Sequence, residues 1–239
     1  MPEVINFGNI RFNGLRLENV IEIAPTFKHV ITANAEFIVE ANKNPAFRQL
    51  LSGGCVTFDG QIPFLASRLF NRGKVYEKIS GSDLIYHICE YCRLHNKSVF
   101  LLGALPDVNT AAIHKLRDKY GITVDGYSPP HSKYPFPEEH NDVILGKVAE
   151  VRPDFLFVAF GILKQEFWIA EHRERLIAAG VKVSIGCGGT LDFVAGRIKR
   201  APRFIQRIGL EGIYRFLKEP KLFRLVRLIK SLQFFRYIP

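Results

Sequence analysis

No stretch of the chain approaches the ~18 uncharged apolar residues of a membrane-spanning helix. The N-terminal MPEVINFGNIRFNG has no basic region followed by an apolar one, so no secretory signal is visible and a cytoplasmic protein is expected. Cysteine is sparse. Cys55, Cys89, Cys92 and Cys187 are too few for a disulfide scaffold and fit a reducing compartment. Cys89-x-x-Cys92 sits in a helical pattern with no second Cys or His pair at zinc spacing, so all four read as small buried or inert thiols. No Asp-x-Asp occurs, so the paired carboxylates of a metal-bridged nucleotide diphosphate are missing and metal-independent chemistry is favoured. No Gly-x-Ser-x-Gly elbow points to a serine hydrolase. No early Gly-x-Gly-x-x-Gly points to a dinucleotide-dependent epimerase. Internal repeats and low-complexity tracts are absent too.

What is present is an ordinary globular composition with an uneven charge. The 239 residues, 47% apolar and 23% charged, suit one domain or one domain with an appendage. The net charge is +10, and residues 197–239, with 12 Lys and Arg against 2 Asp and Glu, carry all of it. A neutral body, 1–196, thus precedes a basic tail, 197–239. Such a tail suits a polyanion: nucleic acid, anionic lipid or a diphosphate.

The body alternates strand-like and helix-like segments. Strands are predicted at His29–Ala33, Cys55–Phe58, Val99–Leu102, Ile122–Val124, Phe155–Phe160 and Val181–Ile185. Helices are predicted at Ala35–Ala41, Asp83–His95, Asp107–Tyr120, Glu138–Glu150 and Lys164–Ala179, with Asp83 and Asp107 as caps or first-turn acids. The repetition implies an α/β fold: a Rossmann-like parallel sheet flanked by helices, with a basic helical C-terminal appendage. The Pro-rich Gly126–Pro137 reads either as a lid over a ligand or as a plain surface crossover. In the tail, Gly209–Lys218 is helical in pattern and Pro220 can open a last helix. There Leu222, Leu225, Val226, Leu228, Ile229 and Leu232 form one stripe, opposite Lys221, Arg224, Arg227 and Lys230. That pattern fits a helix in a membrane interface or one docked on the body with a solvated basic face.

Ligands of parallel sheets sit at the carboxyl ends of the strands, which directs attention to five places. Thr32 and Asn34 could bond a sugar or phosphate, or cap a helix. Asp59-Gly60 offers a general base, or an Asp-Gly turn. Gly103 lets a ligand approach the backbone ahead of a helix N-terminus. Lys164-Gln165-Glu166 is a polar cluster on a first helical turn, functional or merely surface-polar. Gly186-Cys187-Gly188-Gly189 is a glycine-rich turn of the kind that cradles phosphate.

In order along about residues 30 to 225 stand TANAEFIVEANKNPAF, Asp59-Gly60, KISGSDL, VFLLGALPD, GYSPP, FGILKQEFWI, GCGGTLDFVAGRIKRAP and GLEGIYRFLKEPKLFR. Together these blocks resemble the WecG/TagA/CpsF glycosyltransferases, the last two most specifically. Departures are Lys78 where the family often has Arg, Leu163 for its usual Pro, and Phe204 and Gly212 for common tryptophans. Lys78 keeps the charge and loses the bidentate fork.

The resemblance implies a metal-independent, cofactor-free inverting hexosyltransferase. It would move a sugar from a nucleotide-diphosphate sugar, UDP-activated, to a polyprenyl-diphosphate-linked saccharide at the cytoplasmic membrane face, for surface polysaccharide synthesis. It places Asp59 as catalytic base, Thr32 and Asn34 beside it, Gln165 in the donor pocket, and Arg215 and Arg224 of the appendage on diphosphate. Lys78, Gly103, Glu166, Gly188, Gly189 and Arg200 complete the substrate-binding candidates, with no metal ligand. Residues 219–236 would meet an anionic membrane surface, and no nucleic acid is expected. The competing reading is a nucleic-acid-binding protein with a basic C-terminal arm, which explains the charge but not the ordered strand-end motifs.

Overall fold

A computed structural model describes residues 3–202, 204–205, 209–218, 220 and 222–238, without the side chains of Arg215, Lys218, Phe223, Arg224 and Arg227. The chain forms two compact units: Met1–Val20, Thr32–Ser80 and Arg200–Pro239 make the first, Ile21–Ile31 and Gly81–Lys199 the second.

The first unit opens with a hairpin, β1 (Ile5–Phe7) and β2 (Ile10–Phe12), whose alternate residues are buried. Its turn residues Gly8 and Asn9 both have positive φ (57° and 59°), the tight turn that matches strand twist. α1 (Leu17–Ile21) follows, and Thr32 and Ala33, the last residues of β3 (Lys28–Ala33), lead into α2 (Ala35–Lys43) and α3 (Pro45–Ser52). Then come β4 (Cys55–Phe58) and α4 (Gln61–Phe70). Aromatic rings hold this unit together. Phe12 stacks on Phe58 at 3.7 Å, Phe58 meets Tyr76 at 5.4 Å, and Phe7 meets the C-terminal Phe234 at 5.9 Å.

The second unit holds α5 (Gly81–His95), β5 (Val99–Gly103), α6 (Pro106–Tyr120), β6 (Val124–Tyr127) and α7 (Glu138–Val151). It continues through β7 (Phe155–Ala159), α8 (Lys164–Glu171), α9 (Arg173–Ala178), β8 (Val183–Gly186) and α10 (Thr190–Ala195). The sheet order is β4-β3-β8-β7-β5-β6. The registers Lys28↔Val183, Phe155↔Val183, Val99↔Phe155 and Val99↔Val124 are all parallel. This is the expected α/β sheet flanked by helices. The core between sheet and helices gathers Phe100, Leu102, Ile144, Val148, Leu156, Val158, Trp168 and Ile169.

Local expectations needed correction where tertiary contacts decide. Lys164–Ala179 is two helices, not one: His172 ends α8 and begins α9, its ring edge-on to Trp168 at 5.0 Å. The strand expected at Ile122–Val124 runs Val124–Tyr127, because pairing with β5 begins at Val99↔Val124. Val181 closes a turn by donating its N–H to Leu176 O, so β8 starts at Val183. The Pro-rich loop is a packed crossover: Tyr134 and Phe136 lie against the core, and Phe136 is edge-on to Phe160 at 5.1 Å. The four cysteines are free thiols, three of them buried, and burial raises the Cys89, Cys92 and Cys187 thiols above their ordinary value.

In the tail, helices span Glu211–Lys218 and Leu222–Leu232, followed by a 3-10 turn at Gln233–Tyr237. The end is docked, with Phe234 fully buried. The stripe is not: Leu222 is 78% exposed and Leu232 65%. Leu228 alone among its members is partly covered, lying beside Gly212. Among the described residues no helix is long and apolar enough to cross a membrane.

Candidate active site

In the first unit, β3 and β4 bring their carboxyl ends side by side. The Asp59 N–H donates to Ala33 O at 2.9 Å, which sets Asp59 next to the Thr32-Ala33-Asn34 segment. Gly60 has φ +98°, a conformation that side chains disfavour, and a Cβ added there would touch Pro63 and Asn34 Cβ. Together these features turn the chain sharply from Asp59 into α4. Thr32 is buried and Asp59 half-buried. Lys78 joins them by a third route: it bridges Phe58 in parallel register, and Ile79 N–H donates to Phe58 O at 2.9 Å. Thr32, Asn34, Asp59 and Lys78 thus lie on three adjacent strand-like segments.

Asn34 also does the capping that its position allowed. Its Oδ1 accepts from the N–H groups of Glu36 (2.9 Å) and Phe37 (3.3 Å), securing the start of α2. That use leaves the Nδ2 side of the amide as the part suited to a ligand oxygen.

In the second unit, Gln165 and Glu166 are buried on the first turn of α8, after β7. Gln165 Nε2 donates to Glu166 Oε1 at 2.7 Å, and Gln165 Oε1 accepts from Gly188 N–H at 3.0 Å. The carboxamide is therefore fixed in both orientation and identity of its ends. Gly186 makes room for it: a Cβ there would overlap Glu166 Oε1 and come within 2.6 Å of Gln165 Nε2. Burial drives the Glu166 carboxyl up to about 7, against smaller lowering by Gln165 and nearby backbone N–H groups. Its second oxygen, Oε2, is buried without a hydrogen-bond partner.

The turn after β8 does less for a ligand than its glycines promised. Cys187 N–H donates to Val158 O, Gly188 N–H to Gln165 Oε1 and Thr190 N–H to Cys187 O. Its observed work is to seat Gln165. Gly188 is half-buried and Gly189 exposed. The turn before α8 is strained. Leu163 has φ +67° and ψ −47°, near the rare classic γ-turn, a value closed to the proline that the family usually carries.

Gly103 ends β5 with φ +95°, and Ala104 follows at +61°. Asn109 was not foreseen. Its buried Nδ2 donates to both Leu101 O (2.9 Å) and Gly103 O (2.8 Å), clamping this turn. Only an Asn three residues after the start of α6 hinted at it. Arg200 is half-buried in the first unit beside buried Ala201. Arg215 and Arg224 fall on the two tail helices, and their side chains lie outside the described ones, as does Lys221 entirely. Among the described residues no three His, Cys, Asp or Glu side chains gather as a metal-binding group.

An N-acetylglucosaminyldiphosphoundecaprenol N-acetyl-beta-D-mannosaminyltransferase of Bacillus spizizenii is 34% identical over 197 residues, covering 82% of this chain and 73% of that protein. Proteins of the same name from Staphylococcus aureus (30% over 209 residues, 87% and 78% covered) and Bacillus subtilis (31% over 193 residues, 80% and 72%) are also similar. The profile of the glycosyl transferase WecG/TagA/CpsF family matches residues 5–238. With the parallel sheet and the strand-end residues in place, the chain belongs to the glycosyl transferase WecG/TagA/CpsF family.

Proposed function

We propose that this chain is an inverting glycosyltransferase that moves a sugar from a UDP-sugar to a polyprenyl-diphosphate-linked saccharide in surface polysaccharide synthesis. The relatives' names supply the substrate class: an N-acetylmannosaminyl group passes to N-acetylglucosamine on diphosphoundecaprenol. The observation that carries the reading is Asp59, held by Ala33 beside Thr32 and Asn34 with Lys78 in register.

Asp59 takes the proton of an acceptor hydroxyl. The oxygen attacks the anomeric carbon from the face opposite the leaving nucleotide diphosphate, and the centre inverts. Asn34 Nδ2 and Thr32 Oγ1 orient the acceptor. Gln165 presents its second Nε2 hydrogen to the donor, with Glu166 and Gly188 holding the amide still. Gly103 and Gly189 let substrate approach the backbone. The charge on the leaving diphosphate meets Lys78, Arg200, Arg215 and Arg224, each such charge-assisted contact being worth ~1.5–3 kcal/mol. A metal-free reaction is supported by the lack of an Asp-x-Asp sequence.

Residues 197–239 act as the appendage, with 219–236 on anionic lipid. The exposed leucines of the last helix and its basic composition support a peripheral protein on the inner membrane face rather than a nucleic-acid arm. The test is a panel of nucleotide sugars with polyprenyl-diphosphate-N-acetylglucosamine, read as nucleotide release and product mass. UDP release coupled to a heavier lipid-linked product is expected. Release without a lipid-linked product, or none with any donor, would refute the reading.

A further inference from the structure

Helix α4 is apolar on both sides, and only one side is used. Pro63, Phe64 and Ser67 are buried, and Ser67 Oγ is locked to Phe64 O and Tyr76 OH, each at 2.8 Å. On the opposite side Ile62, Leu65, Ala66 and Leu69 follow the i, i+3, i+4, i+7 spacing of one helical face. Leu65 is 50% exposed and Leu69 64%. With Arg68 these four line a groove of about 460 Å³. Surface helices ordinarily turn polar residues outward, so an open apolar face of this kind calls for an apolar occupant.

Two features say which one. The groove begins one turn after Asp59, because Gly60 bends the chain from the end of β4 straight into α4, and Ile62 to Leu69 extends it by about 10 Å. The surrounding sequence is cationic without exception: residues 60–76 hold Arg68, Arg72 and Lys74 and no acid. An apolar track that starts just past Asp59 and carries Arg68 as its one charged lining residue complements an amphiphile that joins a hydrocarbon chain to an anionic diphosphate.

We propose that the exposed face of α4 binds the isoprenoid segment of the acceptor nearest its diphosphate. This rests on the reading of the acceptor as a polyprenyl diphosphate, and it assigns that chain a protein subsite rather than leaving it wholly in the bilayer. The chain lies along Leu65 and Leu69, so that the sugar end is delivered toward Asp59. At Ile62 the track adjoins the tail, since Gly209 sits against the Ile62 side chain.

The test uses the full-length protein and geranylgeranyl diphosphate, with inorganic pyrophosphate as the chain-free control, by titration calorimetry. Both leucines are already partly buried, so covering the rest is worth a factor of about three to ten each, and Leu65→Asn with Leu69→Asn should weaken geranylgeranyl diphosphate at least about tenfold. Pyrophosphate binding, thermal melting and flotation with phosphatidylglycerol vesicles should not change, and Leu65→Met with Leu69→Met should retain affinity. Unchanged affinity of the Asn pair overturns the proposal. Vesicle flotation lost at unchanged probe affinity would make the face a bilayer contact, and a fall in molecular mass would make it a contact between copies; either overturns it. Probe binding needs no turnover. A protein that binds the probe on α4 but transfers no sugar to a lipid-linked acceptor fails the functional reading instead.

Discussion

Gln165 Nε2 donates to Glu166 Oε1 at 2.7 Å while Gly188 N–H holds Gln165 Oε1 from the other side. A buried carboxyl thus serves as the rigid support of a neighbouring amide, and it does so at a cost that depends on pH.

Glu166 is expected to weaken the fold as pH rises. Burial lifts its folded value to about 7 from 4.5, so between these values the folded state holds the proton more tightly than the unfolded one. Its contribution is fully present below 4.5 and lost as pH rises through about 7. Glu166→Gln keeps an oxygen facing Gln165 and removes the charge. Chemical denaturation should show the variant equal to the wild type on the acid side and more stable near pH 8, by on the order of 3 kcal/mol at most.

His29 works in the opposite sense. Burial, and then Arg173, lower its folded value to about 3 from 6.5. The unfolded chain takes up a proton that the folded one refuses, so stability is lost as pH falls from 6.5 toward 3. In His29→Gln the acid limb of a melting-temperature profile should be flatter than in the wild type.

Leu163 stores strain next to the amide. Leu163→Gly should gain about 1 kcal/mol of stability, since glycine accepts φ +67° freely. Leu163→Pro cannot adopt that angle. The turn must reopen and move Gln165, so KM for the nucleotide sugar should rise more than kcat falls. Gly186→Ala should do the same from the other side, because the added methyl meets the Gln165–Glu166 pair.

Asp59→Asn should fold normally and lose roughly 10²–10⁴-fold in turnover, the usual loss for a general base. Near-normal turnover in a folded variant would remove Asp59 from the reaction. Activity in the wild type should withstand EDTA; loss restored by Mg²⁺ or Mn²⁺ would replace the metal-free mechanism.

The tail should divide into an anchor and a free face. Phe234→Ala empties a fully buried site against Phe7 and should cost ~3–5 kcal/mol. Leu222→Asn with Leu232→Asn, both at exposed positions, should change stability within about 0.5 kcal/mol per site yet reduce flotation with anionic vesicles. Unaltered flotation would leave the stripe without a membrane role. Truncating the whole tail cannot separate these effects, because it removes Phe234 with the stripe.

The sequence by itself determined the parallel α/β sheet, because short apolar runs such as Cys55–Phe58, Val99–Gly103 and Phe155–Ala159 alternate with longer helical patterns. It also determined Asp59, Asn34 and Gln165 as candidates, because a polar residue just past an apolar strand is visible without coordinates. The β1–β2 hairpin went unread, although the alternation INF, IRF about Gly8-Asn9 encodes it. Only the tertiary structure decided what those residues touch. Asp59 stands by Asn34 because β4 pairs beside β3, a long-range choice that no local pattern encodes. The Gly186–Gly189 turn looks like a phosphate cradle in sequence, and two of its amides, those of Cys187 and Gly188, turn out to be taken by Val158 O and Gln165 Oε1, long-range partners that composition cannot reveal. The apolar side of α4 is equally invisible in sequence. Ile62, Leu65 and Leu69 are as apolar as core residues, and only packing shows that Phe64 and Ser67 fill the inside while Leu65 and Leu69 stay at least half exposed and Ile62 lies against Gly209.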